Sequence, residues 1–287
     1  MAICVGFIGL GNMGLPMAVR LIKGGLDTTV FDLSTEACAH LRGLGARVAA
    51  SCADAAAGAE VTGVCVRNDE EVRDVVLGPE GVLAGAREGT IIALHSTILP
   101  RTVAEVARAA ADRGIGVVDA PVTGAAQGAE NGTLTYMVGG AAAHVERCRP
   151  VFATAAKAIV HCGALGTGAT AKLCNNLIGY LSFLAAFEAT LLARSGGLEL
   201  DALFEVARSN GYLSESTMAF ARHRQRPGEH GDDGPLGAMA RHFTALAEKD
   251  LAVTLAFARE HGVSLPGTAL CQQLMARVYG VRDDKRH

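Results

Sequence analysis

The sequence lacks several features, and each absence narrows its function. The longest apolar runs are short or interrupted, so none is expected to span a bilayer. Basic residues are not in excess. Lys and Arg total 26 against 29 Asp and Glu, and the formal charge of −3 provides no field to hold nucleic acid or an anionic membrane. The eight cysteines include no Cys-x-x-Cys pair and no zinc spacing, so no metal site is expected from them. Cys4 and Cys65 lie inside apolar strand-like runs, as reduced thiols packed as small hydrophobes in the cytosol would. His223, His230 and His242 match no ligand motif. Internal repeats and low-complexity tracts are absent. The first strand pattern begins almost at Met1, which leaves no room for a signal peptide and favours a cytoplasmic protein.

What is present is a globular chain of 287 residues, half of them hydrophobic and 19% charged, long enough for two domains. Residues 1–163 alternate short apolar runs with helical patterns. Strands are expected at 3–8, 28–32, 46–48, 61–66, 90–94, 116–119, 133–138 and 159–161, and helices at 13–23, 35–44, 70–77 and 102–113. Strands separated by helices imply right-handed βαβ crossovers and a mostly parallel sheet of the Rossmann type. Residues 164–287 change character: alanine and leucine dominate and helical spacing continues to the end. One long helix is expected over 165–195, stopped by Gly196-Gly197, with further helices at 201–209, 244–261 and 269–278. The stretch 209–216 reads as an interhelical loop or a cover for a pocket, and 222–235 as a polar surface loop. The expected architecture is therefore a dinucleotide-binding α/β domain (1–163) joined by a long helix to an all-α domain (164–287).

Gly9-Leu10-Gly11-Asn12-Met13-Gly14 fits G-x-G-x-x-G, follows an apolar strand and opens a helix, and Asp32 ends the next strand. Gly9 permits the tight turn, Gly11 lets a pyrophosphate approach, and Gly14 lets helix and strand pack closely. The first-turn amides at Asn12 and Met13 then face the phosphates. A carboxylate at 32 accepts hydrogen bonds from ribose hydroxyls and repels a 2′-phosphate, and Leu33 and Ser34 bring no arginine after it, so NAD is expected over NADP. Val66-Arg67-Asn68 follows the fourth strand and His95-Ser96-Thr97 the fifth. Ser96 and Thr97 suit contact with the nicotinamide ribose and equally suit capping of the helix beyond Pro100.

Asp119-Ala120-Pro121-Val122-Thr123-Gly124-Ala125 closes another strand. Thr123 with the amides of Gly124 and Ala125 suits a carboxylate, and an ordinary strand–turn explains the same residues. After Gly166-Thr167-Gly168, Lys172 is followed by Asn175 and Asn176, three and four positions on, so a helix puts all three on one face. A cationic acid/base beside a carboxamide suits a hydroxyl that gains or loses a proton. Burial and a nicotinamide cation would both lower the lysine's pKa from about 10.4. Lys249-Asp250 reads first as a solvated helical pair.

Four segments (9–14, 119–140 with its Gly-Thr-Leu-Thr-Tyr-Met-Val-Gly-Gly, 166–176, and 243–251 with its Lys-Asp-Leu) occur in an order and spacing that resemble the β-hydroxyacid dehydrogenase family, the 3-hydroxyisobutyrate dehydrogenase group. The resemblance implies an oxidoreductase in which Lys172 is general acid/base and Asn176 holds the substrate oxygen with Asn175 in support. It places Thr123, Gly124 and Ala125 around the carboxylate and Lys249 near nicotinamide and substrate. It further implies a homodimer or homotetramer built through the α domain. The family's usual Ser-Gly-Gly is Thr123-Gly124-Ala125 here, its acid before Ser-Thr is His95, and its Leu-Pro is Val66-Arg67. These departures leave the reaction class intact and bear on the substrate. A small 3-hydroxy acid is expected, with a short semialdehyde such as tartronate semialdehyde as the alternative. Imine reduction and a catalytically dead nucleotide sensor both fit less well with Lys172 and Asn176 in place.

Overall fold

The computed structural model describes residues 2–223 and 234–282, so most of the polar stretch 222–235, His230 included, lies outside the described residues. The chain divides into two compact units, Met1–Lys172 and Leu173–His287, each taken by itself.

In the first unit, strands β1 (Cys4–Ile8), β2 (Asp27–Phe31), β3 (Arg47–Val48), β4 (Val61–Val64), β5 (Ile91–Leu94) and β6 (Gly116–Asp119) alternate with helices α1 (Gly14–Lys23), α2 (Thr35–Gly43), α3 (Cys52–Ala56), α4 (Asp69–Leu77), α5 (Val82–Gly85) and α6 (Pro100–Ala111). These strands pair in parallel in the order β3-β2-β1-β4-β5-β6. The order reverses between β1 and β4, the switch point at which doubly wound sheets bind dinucleotides. The chain then adds β7 (Val122–Thr123), α7 (Ala125–Asn131), β8 (Leu134–Gly139), α8 (Ala142–Phe152) and β9 (Ala156–Gly163). Strand β8 runs antiparallel to β6 and β7, and β9 lies parallel to β8. The sheet is thus mostly parallel.

Strand periodicity sorts the apolar side chains into two cores. Val5, Phe7, Ile91, Ala93 and Val118 face one side with Met17, Leu41 and Phe152. Ile8, Val64, Ile92, Leu94 and Val117 face the other with Val72, Val76, Val103 and Val106. Burial on both faces is why these strands read as continuous apolar runs. Ile92 and Leu94 are wholly buried, and each such side chain contributes about 1.5–3 kcal/mol.

Helix α9 (Thr167–Ser195) begins in the first unit and continues as the first element of the second. It stops before Gly197, whose φ of 71° is left-handed. The second unit continues with α10 (Leu200–Ser209), α11 (Glu215–His223), α12 (Pro235–Glu260) and α13 (Pro266–Tyr279), and its described residues form no strand. Leu184, Leu251, Cys271, Met275 and Val278 form its main core, with Phe204, Met218 and Ala221 in a smaller one beside Ala186.

Several sequence expectations need correction. Helix α9 is, by length and composition, long and apolar enough to cross a bilayer. Its charged residues are Lys172, Glu188 and Arg194, spaced widely enough to leave a long uncharged stretch between the first two. Leu173, Leu184, Ala186 and Ala193 on it are nonetheless buried within protein. Helices α3, α5, α7 and α8 were not expected. The first three are too short to repeat a helical period, while α8 mixes charged and apolar residues and contains Pro150. Helix α11 was not expected either, and its first residues, 215–216, fall in the stretch read as an interhelical loop or a cover for a pocket.

Candidate active site

The Gly9–Gly14 turn links β1 to α1, and its glycines divide into two kinds. Gly9 has φ 91°, and a Cβ there would run into the carbonyl of Cys65; a Cβ at Gly14 would run into the carbonyl of Gly9. At Gly11 an added Cβ would meet nothing within 4 Å. The outer glycines are demanded by packing, whereas the middle one borders open space of the kind a pyrophosphate needs. That opening joins a cleft of about 760 Å³ lined by Gly9, Gly11, Asp32, Leu33, Arg67 and Glu71. The residues present therefore fit a dinucleotide. Asn12 is exposed and Met13 half-buried at the helix start.

Asp32 locks the turn. Its Oδ2 accepts from the Leu10 amide at 2.6 Å and its Oδ1 from the Ser34 amide at 2.7 Å. Each oxygen retains a further lone pair for a ribose hydroxyl. Ser34, not Asp32, caps α2 by accepting from the Ala37 amide at 3.2 Å. Leu33 is 91% exposed. Arg67 lines the same cleft, as its place after the fourth strand, at the carboxyl edge of the sheet, suggests. Its guanidinium is ion-paired with Glu71, and hydrogen bonding to that carboxylate raises its pKa. Two more carboxylates, Glu70 and Asp74, rim the cleft.

Ser96 does not cap the following helix. Its Oγ accepts from the Val66 amide at 3.0 Å, tying the ends of β4 and β5 together. The start of α6 is served instead by Asp69, whose Oδ1 accepts from the Leu99 amide at 3.0 Å and the Thr102 hydroxyl at 2.5 Å. Thr97, beside Ser96, is half-buried.

The segment after β6 offers its backbone to two side chains. His95 is buried, stacked on Phe7 with ring centroids 5.9 Å apart and edge-on to Tyr136 and Phe152. Its Nδ1 lies 2.8 Å from the Ala120 carbonyl. A carbonyl only accepts, so Nδ1 carries the hydrogen. Burial lowers the His95 pKa to about 4, against the opposing pull of that carbonyl, and the ring is a neutral donor. Two residues on, the Val122 carbonyl accepts from Lys172 Nζ at 2.8 Å. Lys172 is half-buried on α9. Burial pushes the Cys65 thiol up to about 12, and the nearby Lys172 charge opposes the shift. Thr123 follows Val122 directly and is half-buried; Gly124 and Ala125 are exposed at the start of α7. Ala125 has φ 57°, the only non-glycine positive φ among the described residues.

The helical unit holds a separate polar group. Asn176 is buried, and its Nδ2 donates to Asp250 Oδ2 at 2.8 Å. A carboxylate can only accept, which fixes the amide's orientation and turns its carbonyl oxygen away from Asp250. Tyr180 donates to the same Oδ2 at 3.2 Å. Burial, followed by the Asp250 charge, raises the tyrosine's pKa well above its ordinary value. Lys249 Nζ lies 2.7 Å from Asp250 Oδ1. The atom Oδ1 has no directed hydrogen-bond partner, so that contact is electrostatic. Asn175 is exposed. Sequence reading missed Tyr180, although it lies four positions after Asn176 and spacing alone puts it on the same helix face.

Comparison with known proteins matches the chain in two parts. Residues 4–163 match the NAD binding domain of 6-phosphogluconate dehydrogenase, and residues 166–286 match the family described as NAD-binding of NADP-dependent 3-hydroxyisobutyrate dehydrogenase. An uncharacterised oxidoreductase of Mycobacterium tuberculosis is 39% identical over 278 residues, covering 96% of this chain and 93% of that one. The NAD-dependent L-serine dehydrogenase of Pseudomonas aeruginosa is 35% identical over 284 residues, covering 97% and 94%. The solved structure of Mycobacterium tuberculosis 3-hydroxyisobutyrate dehydrogenase with L-serine aligns at a TM-score of 0.83 and 32% identity, covering 98% of this chain and 94% of that one. The chain belongs to the β-hydroxyacid dehydrogenase family of the 3-hydroxyisobutyrate type, NAD-dependent oxidoreductases that interconvert hydroxy acids and their semialdehydes.

Proposed function

We propose that this enzyme interconverts a short 3-hydroxy monocarboxylic acid and its semialdehyde, with 3-hydroxyisobutyrate as the lead substrate and Lys172 as general acid/base. The observation that carries this reading is the 2.8 Å bond from Lys172 Nζ to the Val122 carbonyl, which brings the amine to the residue next to Thr123. Two of the relatives named above are called L-serine dehydrogenase or were solved with L-serine, which makes L-serine the second acid to try.

Residues 1–163 form the dinucleotide domain and 164–287 the helical one. Gly9, Gly11, Asn12, Met13 and Gly14 hold the pyrophosphate, Asp32 the adenosine ribose, and Thr97 and Lys249 the nicotinamide end. Bound there, NAD supplies the hydride acceptor. Lys172, uncharged, takes the hydroxyl proton during oxidation and, as ammonium, returns it during reduction. Asn176 orients the substrate oxygen through the amide atoms that Asp250 leaves free. Thr123, Gly124 and Ala125 hold the carboxylate, with Asn175 in support. Asp32 and the acidic rim favour NAD over NADP, and the Arg67 charge is countered by Glu71. The protein acts in the cytoplasm as a homodimer or homotetramer.

The test is an initial-rate panel of 3-hydroxyisobutyrate and L-serine with NAD⁺ and NADP⁺, and tartronate semialdehyde with the reduced cofactors. Lys172→Ala should lower turnover by a factor of roughly 10² or more with NAD affinity retained. Unchanged turnover would remove Lys172 from the chemistry. A clear preference for tartronate semialdehyde would replace the substrate.

A further inference from the structure

Asp119 ends β6 and is 1% exposed. Its carboxylate spans the start of α9: Oδ1 accepts from the Gly166 amide at 2.8 Å and Oδ2 from the Ala169 amide at 2.7 Å. Helix starts leave such amides without partners inside the helix, and a distant acid supplies them here. The fit is close on every side. A Cβ added at Gly139 would lie 2.5 Å from Asp119 Oδ1, and one added at Gly168 would lie 2.5 Å from the carbonyls of Asp119 and Met137. Glycine at both positions lets β6, β8 and the helix start meet backbone to backbone, so the carboxylate has no room to swing. Desolvation raises its pKa while the amide hydrogen bonds oppose the rise.

The same short segment grips the helix a second time. Three residues after Asp119, the Val122 carbonyl accepts from Lys172, itself three residues after Ala169. The helix start is therefore attached to one stretch of chain at two points about one turn apart. Shifting the first point shifts the stem from which the amine reaches the second.

We infer that Asp119 is a positioning residue for the acid/base amine: by clamping the first turn of α9 to the end of β6 it sets where Lys172 Nζ stands. It touches neither substrate nor cofactor and acts through the lysine, so the inference rests on the role proposed above for Lys172.

The test is a double-mutant cycle in the full-length enzyme with NAD⁺ and the best substrate of the panel. Asp119→Asn keeps one acceptor oxygen but turns an NH₂ group towards an amide donor, so the clamp loses one of its points. Turnover number should fall roughly tenfold or more, the scale that small misplacements of a reacting group produce. The KM for NAD⁺ should change by less than about twofold, because the glycine turn lies on other strands. In a Lys172→Ala background, Asp119→Asn should cost less than about twofold further, because the group it positions is gone. Losses that multiply across the cycle, a matching loss of NAD⁺ affinity, or full activity in Asp119→Asn would each overturn the inference. Failure of both Asp119→Asn and Asp119→Ser to fold, read by circular dichroism, would assign the residue to the core alone and overturn it too. If Lys172→Ala itself retains turnover, the acid/base role falls first, and that outcome is distinct from additivity at Asp119.

Discussion

Two sets of polar groups, one in each unit, are held by opposite means. In the first, side chains are fixed by main-chain atoms: Asp32 by the Leu10 and Ser34 amides, Asp119 by the Gly166 and Ala169 amides, His95 by the Ala120 carbonyl and Lys172 by the Val122 carbonyl. In the second, side chains fix each other, with Asp250 serving Asn176, Tyr180 and Lys249 at once. Backbone partners persist as long as the fold does. A side-chain hub fails when one residue changes. The first arrangement depends on sheet topology, and the second on residue identity.

The comparison breaks most readily at the hub. Asp250→Ala leaves two donors and an ammonium without their acceptor. Its urea midpoint should fall by the equivalent of about 3 kcal/mol, the lower end of the range for losing one partner of a buried pair, because the Lys249 side chain is 30% exposed and can be rehydrated. A near-neutral result would mean that the hub's members do not depend on one another.

The next test addresses the backbone-held histidine. The folded pKa of His95, about 4, lies below the ordinary 6.5. Its contribution to stability is complete above pH 6.5. As pH falls from 6.5 to 4 the unfolded chain takes up a proton that the folded chain refuses, and stability is lost on the order of 3 kcal/mol across that window. A His95→Asn variant should therefore show a shallower fall in melting temperature between pH 7 and 4.5 than the parent. Parallel curves would show that His95 is not the group responsible.

The smallest expected effect concerns backbone conformation. Ala125 holds φ 57° where the family pattern has glycine. Ala125→Gly should raise stability by about 1 kcal/mol, less the extra freedom glycine gives the unfolded chain. Thermal melts that show a loss instead would mean the methyl group makes contacts worth more than the strain.

Local signals made much of this readable from the residues. The glycine turn, Asp32 and the strand–helix alternation are short-range patterns, and the mostly parallel sheet follows from them. Lys172 stood out because Asn175 and Asn176 follow it at helical spacing. What stayed hidden depends on distance or on the main chain. The carboxylate of Asp119 meets amides 47 and 50 residues away, and nothing in its neighbours announces that. The Val122 carbonyl carries no mark of identity at all. Arg67 was legible as following a strand, but its ion pair with Glu71 at the cleft depends on the start of α4. Tyr180 was within reach, since helical spacing from Asn176 points to it.

Every amino acid brings the same oxygen to position 122. Mutation there can alter bulk or polarity, yet it cannot delete the atom on which the amine rests. Descendants of this chain are therefore free to trade neighbouring side chains, while the seat of the Lys172 amine is inherited unchanged with the strand.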